Sequence, residues 1–160
     1  MVRRIALIPV VVSALLAATM TIGQEEQNAE QEAFAKLEGT WVAEQVLSSG
    51  KEVPREKFPF ELEFDDGKLT FKFVGEVKGK DRVHDLTLDT TTDPFQMDLS
   101  RTVRDKKMTV LSIYKFDGER LLICSLRDAD GQPAKQRPTS FDSSSTVRSE
   151  LITLKRKSEK

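Results

Sequence analysis

The sequence predicts an all-β domain, an antiparallel up-and-down barrel of about eight strands, preceded by a short helical or flexible segment. Three observations predict it. Apolar and polar residues alternate through eight short segments, two pairs of these segments are joined through Asp-Gly, and a helical period appears only before the first of them. Sequential hairpins favour a barrel over a sandwich because each strand can pair with its neighbour, and closure then removes the exposed edges.

The chain opens with Arg3 and Arg4, an apolar run from Ile5 to Ala18, and small or hydroxylated residues up to Gly23. That is the layout of a secretory signal. The run is 14 residues long, short of the roughly 20 that a helix needs to cross a bilayer, so no stable membrane span is expected in the mature protein. Cleavage is expected after Gly23, with Ala17 or Ala18 as alternative small-residue sites, and the product is expected to be periplasmic or secreted. Residues 1–23 carry two arginines and no acids. The remaining 137 residues hold 23 basic and 26 acidic side chains, enough length for one domain and no basic excess to recruit nucleic acid.

Residues 24–36, QEEQNAEQEAFAK, form a polar extension in which Phe34 and Leu37 are one helical turn apart. Gly39 stops the helix, and the domain proper is read as residues 37–157. Thr40 to Leu47 is the first strand. Phe60, Leu62 and Phe64, then Asp66-Gly67, then Leu69, Phe71 and Phe73 make the clearest hairpin, apolar on one face and mostly charged on the other. Leu86 and Leu88 mark a strand over Val83 to Asp89, and Phe95, Met97 and Leu99 another over Phe95 to Ser100. Met108 to Phe116 and Arg120 to Leu126 flank Asp117-Gly118, and Glu150 to Lys155 is the last strand. Leu121, Leu122, Ile123 and Cys124 are all apolar, which suits a strand covered on both sides. The connection 127–148 is unusually long, and its Pro138-Thr139-Ser140-Phe141 segment is a candidate short strand anchored by Phe141.

Five groups of residues stand in a recognisable order and spacing: Leu37-Glu38-Gly39-Thr40-Trp41, Gly50-Lys51-Glu52-Val53-Pro54, Ile113-Tyr114-Lys115-Phe116-Asp117-Gly118 with Leu121 and Cys124, Arg137-Pro138-Thr139-Ser140-Phe141, and Leu154-Lys155-Arg156. Over residues 36–157 the chain resembles a lipocalin-like domain family of unknown function that is abundant in planctomycete bacteria. Ser112 and Leu122 depart from its usual glycine and polar residue. The resemblance implies a lipocalin-like barrel in an exported protein and brings no activity, ligand or catalytic residue with it. It also implies that Trp41 plugs one end of the barrel beneath an arginine from a late strand, with Arg156 and Arg148 as candidates.

Chemistry-bearing residues are sparse. His84 is the only histidine and shares strand parity with Leu86 and Leu88, a position for a strand-end ring rather than a catalytic base. Cys124 is the only cysteine, so no disulfide forms within the chain, and its apolar neighbours suit a buried thiol. Asp81, Asp85, Asp89, Asp93 and Asp98 lack the spacing of a calcium loop, and Ser143-Ser144-Ser145 lacks the setting of a nucleophilic serine. With no catalytic constellation, metal or cofactor motif, the expectation is a non-enzymatic binding module for a small apolar ligand. The alternative is a structural or interaction domain that contacts another envelope protein. If the barrel keeps a cavity, Trp41, Phe64, Phe71 and Tyr114 are the candidate ligand-contacting residues; equally, such side chains can fill a barrel of eight strands.

Overall fold

The computed structural model describes residues 28–75 and 79–158, so the expected signal and the first residues of the polar extension lie outside the described residues. A helix, α1, covers 28–37, and nine strands follow it: β1 (Gly39–Ser48), β2 (Lys51–Glu52), β3 (Phe60–Asp65), β4 (Lys68–Phe73), β5 (Arg82–Asp89), β6 (Phe95–Val103), β7 (Lys106–Asp117), β8 (Arg120–Leu126) and β9 (Ser149–Arg156). Every pairing is antiparallel. The order runs β1-β3-β4-β5-β6-β7-β8-β9, and β9 pairs back onto β1, which closes eight strands into a barrel. The two-residue β2 is a hairpin return on the end of β1, pairing Leu47 with Glu52 and Ser48 with Lys51.

Side-chain alternation makes the interior. Phe60, Leu62 and Phe64 on β3 face inward with Leu69 and Phe71 on β4, and Leu86, Leu88, Met97 and Leu99 continue the same face round the barrel. Glu61, Glu63 and Lys72 point out, where Lys72 bridges to Glu63 at 2.6 Å and Lys157 to Glu61 at 2.7 Å. Such exposed pairs add little to stability. The core is carried by the apolar face, where full burial of a leucine stabilises by about 1.5–3 kcal/mol.

Strand β1 keeps phase with its neighbours only through a bulge. Ala43 pairs with Leu154, but the next registered pair is Gln45 with Thr153, so the inward parity passes from Trp41 and Ala43 to Val46. Without that extra residue Val46 would face water. The β6–β7 hairpin turns at Arg104 and Asp105, both at positive φ (49° and 64°), the geometry of a primed turn made without glycine.

One end of the barrel is stoppered. Trp41 is buried, and its indole Nε1 donates to the Leu37 carbonyl at 2.7 Å, tying β1 to the end of α1. The Arg156 guanidinium lies 4.5 Å from the centre of the indole ring and donates to the carbonyls of Lys36, at 2.8 Å, and Glu38. Of the two candidate arginines it is therefore Arg156 that covers Trp41; Arg148 instead reaches the Asp128 carbonyl. Arg156 satisfies carbonyls that the helix leaves unpaired, and the ring beneath it receives a cation at short range. Gly39 makes this possible: its φ is +107°, and a Cβ there would stand 2.9 Å from the Arg156 Nη1.

The 127–148 connection lies against the outside of the barrel. Arg127 N donates to Arg148 O, and Ala134 N to Leu126 O, so the chain doubles back at once on leaving β8. Arg137 then donates to the Ser112 carbonyl at 2.6 Å and pairs with Asp98 at 2.6 Å; Lys115 Nζ sits 4.9 Å from the centre of the Phe141 ring. At the far side Gly50 N donates to Ser143 Oγ, and a Cβ on Gly50 would come within 2.7 Å of the Ser143 carbonyl. The expected short strand at Pro138–Phe141 is absent: the segment is held by side chains instead, and Pro138 brings no N–H to a ladder. This cover accounts for the burial of Ile113 and Cys124, a cross-strand pair whose parity turns it away from the interior. Both faces of β8 are thus apolar because both are covered.

Gly39→Ala must force a side chain into positive φ against Arg156 and is expected to cost more than about 1 kcal/mol, read as a lower urea midpoint; an unchanged midpoint would contradict the clasp. Burial, with Asp142 and Glu150 adding to it, pushes the Cys124 thiol up to about 11, so it should resist a thiol reagent in the native protein and react on unfolding. Arg137→Ala should loosen the cover and speed native-state labelling several-fold, and equal rates in the two proteins would argue that Arg137 does not hold the cover down.

Candidate functional site

The strands that build the interior change chemistry along their length. On β5 the inward positions read Leu88, Leu86, His84, Arg82; on β6 Met97, Leu99, Arg101; on β8 Leu121, Ile123, Ser125, with Arg127 just past its end; on β9 Leu154, Ile152, Glu150. Because neighbouring strands are antiparallel, all these series run the same way through the barrel. They are apolar at the Trp41 end and charged at the other.

The Trp41 end is filled. Trp41 and Phe116 have ring centres 6.3 Å apart, Phe116 and Tyr114 6.2 Å, and Tyr114 and Phe95 5.6 Å, an aromatic floor on which Leu121 and Leu154 pack. Tyr114 is fully buried, its hydroxyl has no partner among the described residues, and burial pushes its pKa up to about 12. It is a neutral phenol in the packed part of the barrel.

The other end is hollow. A cavity of about 320 Å³ reaches down from it, walled by Leu62, Leu69, Leu99, Val110, Ile123 and Ile152 and framed by Phe58, Phe60 and Phe71. The three phenylalanines stack edge to face, Phe58 on Phe60 at 5.3 Å and Phe60 on Phe71 at 5.9 Å. Arg82, Arg101, Arg127 and Glu150 stand around the opening, and Gly131, Gln132 and Pro133 from the start of the long connection complete its wall. Arg82 rests over Phe60 and Phe73, 5.4 and 5.6 Å from the ring centres. Arg127 places Nε and Nη2 on one Glu150 oxygen, at 3.1 and 2.7 Å. Among the described residues neither Arg82 nor Arg101 has a carboxylate within ion-pairing distance.

Two buried polar atoms lie in this wall without a partner. His84 is 7 % exposed and Ser112 1 %, and His84 Nδ1 and Ser112 Oγ find no hydrogen bond among the described residues. An unmet buried polar atom is costly unless water or a ligand reaches it. His84 also packs on Phe71, with ring centres 5.2 Å apart. Burial first, then the positive charges of Arg101 and Arg82, hold its pKa below the ordinary 6.5.

Of the four residues that sequence reasoning offers as cavity candidates, Phe71 lines the cavity. Trp41 and Tyr114 belong to the aromatic floor, and Phe64 is buried in the core. The arginines and Ser125 are not among them, although continuing the inward parity past the leucines reaches Arg101 in one step on β6, Arg82 in two on β5, and Arg127 beyond Ile123 and Ser125 at the end of β8. Each aspartate of the acidic stretch whose partner is resolved has a structural one: Asp81 accepts from Phe73 N, Asp85 pairs with Lys68, Asp89 accepts from Thr91, and Asp98 pairs with Arg137. Among the described residues no group of three or more acidic, histidine or cysteine side chains is placed to hold a metal ion, and no helix is long and apolar enough to cross a membrane.

No family model, no curated protein and no solved structure matches the chain. The fold is that of a lipocalin-like barrel.

The single histidine gives a direct test of this environment. Its C2 proton should titrate in NMR with a midpoint below 6.5. The sign follows from the lowered value: the unfolded ring takes up a proton that the buried ring refuses. His84 therefore removes stability as pH falls from 6.5 toward its folded-state pKa and has no effect on stability above 6.5. A midpoint at or above 6.5 would mean that the ring is solvated or paired with an acid.

Proposed function

We propose that this chain is an exported, non-enzymatic binding module that holds a small, largely apolar molecule in the hollow end of its barrel. The observation that carries this reading is the cavity itself, 320 Å³ with walls of leucine, isoleucine, valine and phenylalanine, in the range of small-molecule sites. The unpartnered Ser112 and His84 supply the few polar groups such sites use to orient a ligand.

Arg3, Arg4 and the short apolar run that follows support export to the periplasm or beyond, and the ordered motifs from Leu37 to Arg156 support a place among the planctomycete lipocalin-like domains. The alternative of an interaction domain that works through the 127–148 connection has weaker support. Arg137 and Ser143 bind that connection to its own barrel, leaving it less free to serve as an arm.

A neutral naphthyl probe whose fluorescence rises in apolar surroundings tests the reading. N-phenyl-1-naphthylamine is expected to bind one molecule per chain. Val110→Trp, which places a large ring in the cavity wall, should cut that binding at least tenfold while the thermal midpoint confirms folding. Equal binding by a folded Val110→Trp protein, or none by the wild type, would rule out the cavity as the site.

A further inference from the structure

Resting on that reading, we infer that the ligand is an amphiphile with an anionic head, whose apolar body fills the cavity while its head is held at the opening by Arg82 and Arg101, beside His84.

Three arginines reach the opening, and Glu150, the one acid lining it among the described residues, is engaged by Arg127. Arg82 and Arg101 are left without a carboxylate partner among the described residues, although both stand on the inward parity of their strands. A cation needed only for solubility would sit on the outward parity, as Lys68, Lys72 and Lys155 do. Instead two guanidinium groups rim a low-dielectric hollow, where an anion gains more from them than it would in water. The Phe60 and Phe73 rings hold the Arg82 group in place without neutralising its charge, so it remains available to an anion.

Beside them, His84 Nδ1 is buried in the same wall with no hydrogen-bond partner among the described residues, and the positive charges of Arg101 and Arg82 help to disfavour the protonated ring. An anionic oxygen between them would answer both conditions, offsetting the arginines and giving the imidazole an acceptor. A cationic head would meet two like charges. A neutral head would leave the guanidinium groups uncompensated. The preferred ligand is therefore a carboxylate or phosphate ester of medium chain length.

The test displaces the bound naphthyl probe with four ten-carbon compounds: decanoate, decyl phosphate, 1-decanol and decylammonium. Decanoate or decyl phosphate should bind at least tenfold tighter than decanol, and decylammonium weakest; the ratio of the two anions distinguishes a carboxylate from a phosphate head. The double substitution Arg82→Gln with Arg101→Gln should erase that preference while leaving decanol within about twofold, which a merely misfolded protein would not do. Equal affinity for decanoate and decanol in the wild type would overturn the anionic head and leave the apolar site standing. A preference that survives the double substitution would overturn the role of these arginines. Failure of the naphthyl probe to bind would defeat the underlying reading instead.

Discussion

The pairing of β9 with β1 is the contact on which everything else depends, because it makes an inside. It joins the last strand of the domain to the first, from Trp41 opposite Arg156 to Ser48 opposite Glu150. Such a contact between distant parts of the chain carries a loop-closure cost and needs strong local reward. The reward is concentrated at one end. Arg156 lies on the indole of Trp41 and binds the carbonyls at the end of α1, so one guanidinium links the helix, the first strand and the last. Gly39 keeps that place free of a side chain. The β1 bulge then lets both halves of the strand face inward although the strand is straddled by β3 and β2 on one side and by β9 on the other.

Stoppering one end decides the character of the other. Large aromatic rings fill the Trp41 end down to the Tyr114 hydroxyl, and the inward series become smaller and more polar beyond it, through Ser112 and Ser125 to the arginines. A barrel packed throughout would place bulky apolar groups at these positions. The polar inward positions reduce the apolar surface that folding buries, a cost to stability that sites of function commonly carry. The cover on the outside answers a different need: with Ile113 and Cys124 turned outward, β7 and β8 would expose an apolar patch if the 127–148 connection did not lie over it.

Much of this was legible in the sequence. The eight segments, the Asp66-Gly67 hairpin, the termination of α1 near Gly39 and the double covering of β8 follow from periods and turn residues that act locally. The features that were not legible are those in which distant residues cooperate. A bulge has no signature in residues 43–45, because only the register against Leu154 and Thr153 reveals it. Arg104-Asp105 adopts a turn that glycine usually marks. Proline and serine in the 127–148 connection announce the lack of a ladder without saying which surface it covers. For the cavity, aromatic residues are a partial guide for a physical reason: the largest rings have the most to gain from close packing, and Trp41 and Tyr114 pack in the core rather than line the cavity. The informative signal was an arginine where the inward series of β5, β6 and β8 run out, at Arg82, Arg101 and Arg127.

The account stands or falls on a barrel closed at Trp41 and open at the arginines. Titrating decanoate into ¹⁵N-labelled protein and following amide and indole shifts tests this most directly, since Trp41 is the only indole in the chain. The account predicts that the perturbed amides cluster at His84, Leu99, Arg101 and Ser125 while the Trp41 indole signal stays in place. Shifts largest at the Trp41 indole, or spread over the outward faces of the strands, would contradict it.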